Sequence, residues 1–202
     1  MAEGPVIEAM QTARAIRHLK PDRVPDELLA KLVFAATRAT NPRNEQPWEF
    51  IVVTEANPKK EIAKFLEPRA STIRELGQEF ESATQRKLWN DAADLIETLA
   101  VAPAIMFICG TTMELEAPYS GWEMVGSAVY AAAQNLVVAA RSLGLGTTFT
   151  TLHLHAESEI RNLLRLPEHV HIRVMLPIGW PDRPFAPVSR RPIEEILHWN
   201  HW

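Results

Sequence analysis

Apolar and polar positions change their period several times along the chain. Leu28, Leu29, Leu32, Val33, Ala35 and Ala36 recur at helical spacing behind Pro25 and Asp26, which predicts a helix opening there. A polar loop follows, Thr40-Asn41-Pro42-Arg43-Asn44-Glu45-Gln46-Pro47. Residues 48–54 then read as a strand, because Phe50-Ile51-Val52-Val53 is apolar and β-branched. Ile62, Leu66, Ile73, Leu76 and Phe80 form one helical stripe, with Pro68 expected to interrupt it. Leu88, Ala92, Leu95, Ile96 and Leu99 form another. The unbroken run Ala104-Ile105-Met106-Phe107-Ile108-Cys109 predicts a strand buried on both faces. Residues 124–143 read as a helix apolar nearly all round, suited to a core or a large subunit interface and ended by Gly144 and Gly146. Gln134 and Asn135 within it need hydrogen-bond partners wherever they are buried. A short strand at 147–151, a helix at 157–164 and a strand at 170–178 complete the pattern. The order is that of a mixed α+β chain.

Composition narrows the picture. With 202 residues, 47% hydrophobic and 23% charged, the chain suits one globular domain over 1–202 and excludes a disordered or collagen-like one. Residues 57–98 hold seven Lys/Arg and eight Asp/Glu in 42 positions, so they are expected to be exposed helices, an excursion or lid over the core. The formal charge of −4 gives no reason to expect a nucleic-acid partner. No run reaches the apolar length of a membrane span, and Met1-Ala2-Glu3-Gly4-Pro5 lacks the blocks of a secretory leader. The lone Cys109 reads as a core thiol; together these features lead to the expectation of a cytoplasmic protein. The segment at about 183–202 ends in Ile196-Leu197-His198-Trp199-Asn200-His201-Trp202, which either folds back on its own domain or packs on a partner subunit.

Familiar catalytic motifs are missing. There is no P-loop, and Gly144-Leu145-Gly146 follows a helix and has no third glycine. The pairs His153/His155 and His169/His171 could share a strand face, but neither has companion ligands at metal spacing, so both read as core or surface histidines and no metal is expected. No serine sits in a G-x-S-x-G elbow, and no general acid–base pair stands out. An enzyme of this sequence would take its reactive centre from a bound cofactor, with no catalytic side chain of its own.

One ordered set of segments does carry chemistry. Arg14 and Arg17 are spaced to share a face of a helical turn and could clamp a phosphate and a polar ring edge. Asn44-Glu45-Gln46-Pro47-Trp48 precedes the first strand; Gln134-Asn135, Leu143-Gly144-Leu145-Gly146-Thr147, Ile178-Gly179-Trp180-Pro181 and Arg190-Arg191-Pro192 follow in order. From about residue 8 to 199 this set resembles the FMN-dependent nitroreductase family. The resemblance implies an α+β fold with a central, mostly antiparallel sheet flanked by helices, in an intertwined homodimer whose C-terminal tails embrace the partner. It also implies FMN as cofactor, NADH or NADPH as donor, and a small electrophilic acceptor such as a nitroaromatic or quinone, reduced by ping-pong kinetics. A dehalogenase or oxidase of the same fold, or a flavin-binding protein without turnover, is the alternative.

By position, Arg17 corresponds to the residue that approaches the flavin N1/O2 edge and steadies negative charge there. Arg14 and Arg190 correspond to phosphate and ribityl contacts, with Ala15 between the two arginines of the motif. Asn41, Asn44 and Gln46 correspond to the loop that reaches the isoalloxazine, commonly in the partner's site. Thr150, Thr151 and Leu152 correspond to the segment whose backbone faces N5. The family's Arg-Arg-Ser-x-Arg is Ala13-Arg14-Ala15-Ile16-Arg17 here, so one phosphate arginine and one serine donor are replaced by methyl groups, and Arg14 or Arg43 is left to take their place. Phe80, Trp89 and Trp122 are candidates to cover the flavin, although core packing is the better reading for any one of them, and residues 113–119 could border the pocket.

Overall fold

Residues 104–111 carry no charged side chain, and the fold places them where none is tolerated. In the structure, a computed structural model that describes residues 4–112 and 121–202, they form β2 (Ala104–Thr111) inside a four-stranded antiparallel sheet. The other strands are β1 (Trp48–Val53), β3 (Gly146–Thr147) and β4 (Val170–Gly179), in the order β1-β2-β4-β3. β2 pairs with β1 from Trp48↔Gly110 to Val53↔Ile105 and with β4 from Ala104↔Ile178 to Thr111↔Val170, with a register shift at Ile108/Cys109. The helices are α1 (Pro5–Thr12), α2 (Asp26–Ala36), α3 (Ala56–Gln78), α4 (Ala83–Thr98), α5 (Gly121–Ser142) and α6 (Glu157–Leu163).

Alternation along β2 divides the core in two. Ala104, Met106 and Ile108 join Leu32, Ala36, Val129, Ala133 and Leu136 in a layer built with α2 and α5. Ile105, Phe107 and Cys109 join Ile62, Leu66, Ile96 and Ile160 in a layer built with α3, α4 and α6. A strand covered on both faces must be apolar throughout, as this one is. Burial pushes the Cys109 thiol up to about 12, so it is an inert packing group.

Several expectations change on the structure. α3 runs unbroken through Pro68, which lies on the exposed face where the carbonyl it leaves unpaired can reach water. Leu88 leaves the predicted core stripe and is half exposed on α4. The strand expected at 147–151 is reduced to Gly146–Thr147 and a single bridge, Thr150 to Met175. Thr148 N donates to Pro177 O (3.3 Å), but Pro177 has no N–H to return, and the ladder breaks there. α1 has no counterpart among the predicted elements, although Pro5 at its start and Glu8 in its first turn are ordinary opening signals. Lys59 is buried, its ammonium donating to Ala102 O (2.6 Å) and Pro103 O (3.2 Å), which ties α3 to the start of β2. Gln134 and Asn135 are both exposed on α5.

The tail lies on its own domain as far as Val188, whose N–H donates to Gln11 O (2.9 Å). Beyond Val188 it carries one short turn, Ile193–Glu195, and leaves Trp199 at 78% and Trp202 at 102% exposure, with Ile193, Ile196 and Leu197 also exposed. None of the described helices is long and apolar enough to cross a membrane.

His153 makes the fold sensitive to acid. Its ring is fully buried in the turn Leu152–Ala156, and burial lowers its pKa from 6.5 to about 4. Between those values the unfolded chain binds a proton that the folded chain refuses, so stability falls as pH drops through that window. The shift sets an upper bound of about 3 kcal/mol on the loss. Urea midpoints at pH 7 and 4.5 should therefore separate more for the native chain than for His153→Leu; equal separations would show that His153 is not buried neutral.

Candidate functional site

The site begins with an extended segment, residues 13–19, between α1 and α2. Ala15 bridges Thr147 in parallel, Ile16 N donates to Thr147 O (2.8 Å), and Thr148 Oγ1 donates to Ile16 O (2.7 Å). On its other side Leu19 bridges Pro181, Lys20 N donates to Trp180 O (2.8 Å), and Asp182 N donates to His18 O (3.1 Å). Two glycines make this docking possible. A Cβ on Gly146 would stand 2.8 Å from Ile16 Cγ2 and 2.9 Å from Ile16 Cβ; one on Gly179 would stand 2.8 Å from Pro103 Cδ and 3.2 Å from Leu19 Cβ. They are register partners across β3 and β4, so one pair of missing side chains seats the whole segment. Arg14 and Arg17 therefore sit on extended backbone, and the helical turn expected for them is not formed.

The docked segment forms one wall of a cleft of about 400 Å³, within the range of ligand pockets. Arg14, Ala15, Arg17 and His18 line it. α4 contributes Thr84, Lys87, Leu88 and Asp91, and Arg183, Pro184 and Ala186 complete the lining. Lys87 Nζ donates to both Asp91 carboxylate oxygens (2.7 Å each), and His18 Nε2 lies 3.5 Å from Oδ1. Burial pushes the Asp91 carboxyl up, but the hydrogen bonds and charge of Lys87, aided by His18, more than offset this and hold it below its ordinary value. Burial lowers the Arg17 pKa, partly opposed by Asp91 and reinforced by Arg14, and the guanidinium stays protonated. Four permanent cations thus face one carboxylate, a donor set suited to a phosphate and a polar ring edge. Leu88 adds the apolar surface on which a ring can rest.

The fit to FMN is good at the residues of the arginine segment. The other predicted contacts lie outside the cleft. Thr150, Thr151 and Leu152 follow the strand that receives residues 15–16; Leu152 N donates to Thr150 Oγ1 (3.2 Å), and Thr151 is exposed. Asn41, Asn44 and Gln46 share a strained loop, in which Arg43, Asn44 and Gln46 have φ of 55°, 57° and 51° and Asn41 Oδ1 accepts from Gln46 N (2.8 Å). Arg190 is exposed and donates to Ser189 O (2.8 Å). Phe80 stacks on Trp89 at 5.4 Å, and Trp122 lies edge-on to His171 beneath the Arg173 guanidinium; none of the three lines the cleft. Residues 113–119 lie outside the described residues.

Lys87, Asp91 and Arg183 were not foreseen as site residues. The first two form an i,i+4 pair, which in a sequence reads as an ordinary solvated helix face. His18, Asp91 and Asp94 approach one another closely enough to hold a cation, but Asp91 already carries Lys87 and Asp94 carries Arg74 (3.0 Å).

Comparison with known proteins follows this geometry. A model of the Nitroreductase family matches residues 10–180. A protein of Methanothermobacter thermautotrophicus named "Putative NADH dehydrogenase/NAD(P)H nitroreductase" is 29% identical over 178 residues, 87% of this chain and 77% of its own. Mouse iodotyrosine deiodinase 1 is 25% identical over 198 residues, 94% of this chain and 67% of its own. The crystal structure of an oxidized iodotyrosine deiodinase bound to FMN and 3-iodo-L-tyrosine superposes with a TM-score of 0.74 at 23% identity, covering 98% of this chain and all of that one.

Gly146→Ala tests the seating of the segment. The added methyl meets Ile16 at its branch point rather than at a flexible end, so it should cost about 1–3 kcal/mol. That is a fall of several degrees in the thermal midpoint, read by calorimetry. An unchanged midpoint would show that Ile16 is not held against Gly146.

Proposed function

The chain belongs to the Nitroreductase family, and we propose that it is an FMN-dependent oxidoreductase that passes hydride equivalents from NADH or NADPH to a nitroaromatic, quinone or related electrophilic small molecule. The observation that carries this reading is the cation-rich cleft made when residues 13–19 dock beside Gly146. Bound FMN would supply the redox chemistry, taking up and releasing electrons for donor and acceptor in turn.

The residues of the chain bind and orient. Arg17, half-buried and permanently charged, would face the N1/O2 edge and favour negative charge there. Arg14 would face the phosphate and ribityl chain. α4 would act as the lid, with Leu88 against the ring and the Lys87–Asp91 pair fixing the helix beside His18.

The same reading makes the protein a cytoplasmic homodimer. Trp199, Trp202, Ile196 and Leu197 expose apolar surface on the tail; Phe34 and Tyr130 expose it on α2 and α5. Burying such surface stabilises association by about 25 cal/mol per Å² removed from water. In the dimer the loop with Asn41, Asn44 and Gln46 would complete a second protomer's cleft, and Arg190 would follow its own tail toward the interface.

A second reading, reductive dehalogenation of a halogenated phenol, is favoured by the iodotyrosine deiodinases among the relatives. Steady-state assays separate the two. NAD(P)H oxidation that depends on a quinone or nitroaromatic, with parallel double-reciprocal lines, supports the first reading; iodide release from an iodophenol supports the second. Acceptor-independent, flavin-independent behaviour with every substrate would contradict both. Arg17→Gln should lower kcat/KM about 10- to 100-fold, the loss of one charge-assisted contact. Deleting residues 189–202 should convert a dimer to a monomer in light scattering; a truncated chain that remains dimeric would remove the tail from the interface.

A further inference from the structure

The FMN reading leaves a charge unaccounted for. A phosphate monoester carries close to two negative charges at neutral pH. Ala15, between the two arginines that line the cleft, has a methyl group that cannot donate. Of the cations that line the cleft, Lys87 is held on both oxygens of Asp91, and Arg17 is the cation influenced by that same carboxylate. Arg14 and Arg183 have no carboxylate partner among the described residues.

Arg183 is brought to the cleft by a strap with fixed ends. Residues 181–188 run antiparallel to residues 11–19, joined by the Leu19–Pro181 bridge, by Asp182 N to His18 O (3.1 Å) and by Val188 N to Gln11 O (2.9 Å). Arg141 on α5 pins the middle. Its guanidinium lies 4.2 Å over the Phe185 ring, and its Nε donates to Thr12 Oγ1 (2.6 Å). The same arginine therefore holds the strap and the end of α1, where the docked segment begins, together. Arg183 stands between the bonded Asp182 and the stacked Phe185, at the cleft, exposed and free to turn onto a ligand.

We propose that Arg183, delivered by the strap 181–188, is a phosphate-binding cation of the cleft, and that it works with Arg14 to select a phosphorylated flavin over an unphosphorylated one. This rests on the FMN reading of the cleft. Two guanidiniums can meet a phosphate with paired, directional hydrogen bonds, which a lysine cannot reproduce.

Equilibrium binding of FMN and of riboflavin to the full chain, followed by quenching of flavin fluorescence, tests the assignment. The native chain should prefer FMN. Arg183→Gln should weaken FMN about tenfold or more while riboflavin changes by less than about twofold. Arg14→Gln should weaken FMN more than riboflavin, and Arg183→Lys should recover only part of the loss. Arg183 is exposed, so the fold should survive; a thermal midpoint within about a degree of the native chain verifies this, and Arg183→Lys carries the test otherwise. Unchanged FMN affinity in Arg183→Gln would overturn the assignment, as would an equal fall for both flavins. A native chain that binds neither flavin would instead overturn the oxidoreductase reading itself, and this inference with it.

Discussion

Ile16 rests where Gly146 has no side chain, and the cleft depends on that contact. The gap left by Gly146 and its register partner Gly179 lets an extended segment lie along the end of the sheet. Backbone hydrogen bonds to Thr147 and Trp180 then fix its two ends. Arg14 and Arg17 are placed by this docking rather than by any contact of their own side chains. The backbone that carries them is thus in place before a ligand arrives, so only the side chains have to be ordered on binding.

The rest of the fold serves that arrangement. β2 is covered on both faces, so neither face of it is available as a binding surface, and the site is displaced to the sheet's end. Two charged helices, α3 and α4, lie over one face, and α4 brings Lys87 and Asp91 to the cleft. Asp91 moderates an otherwise wholly cationic pocket. It holds Lys87, faces His18 and acts on Arg17, so the uncompensated positive charge lies on Arg14 and Arg183. Exposed apolar surface lies elsewhere, on the tail and on α2 and α5.

Period-based features of the sequence translated directly into structure. The two-faced strand at Ala104, the long apolar helix and the last strand at Val170 follow from side-chain patterns alone. Arg14, Ala15 and Arg17, singled out by a motif local in sequence, all line the cleft. Features set by tertiary context did not translate in this way. Pro68 was read as a break, yet its exposed position lets the helix continue. Leu88 was read as core, yet it borders the cleft. Pro177 shortened a strand 30 positions earlier by withholding one N–H from it. Lys87, Asp91 and Arg183 belong to the cleft only because α4 and the strap fold against residues 13–19, and no spacing in the sequence encodes that meeting.

The most direct measurement is an anaerobic visible-absorption titration of the purified chain, first with FMN and then with NADH or NADPH. The account predicts saturable flavin binding at one FMN per chain, with bands that shift on binding and bleach on addition of a nicotinamide. Bands that never leave the spectrum of free FMN would contradict the cleft as a flavin site; bands that shift but do not bleach would leave a binding protein and contradict the oxidoreductase.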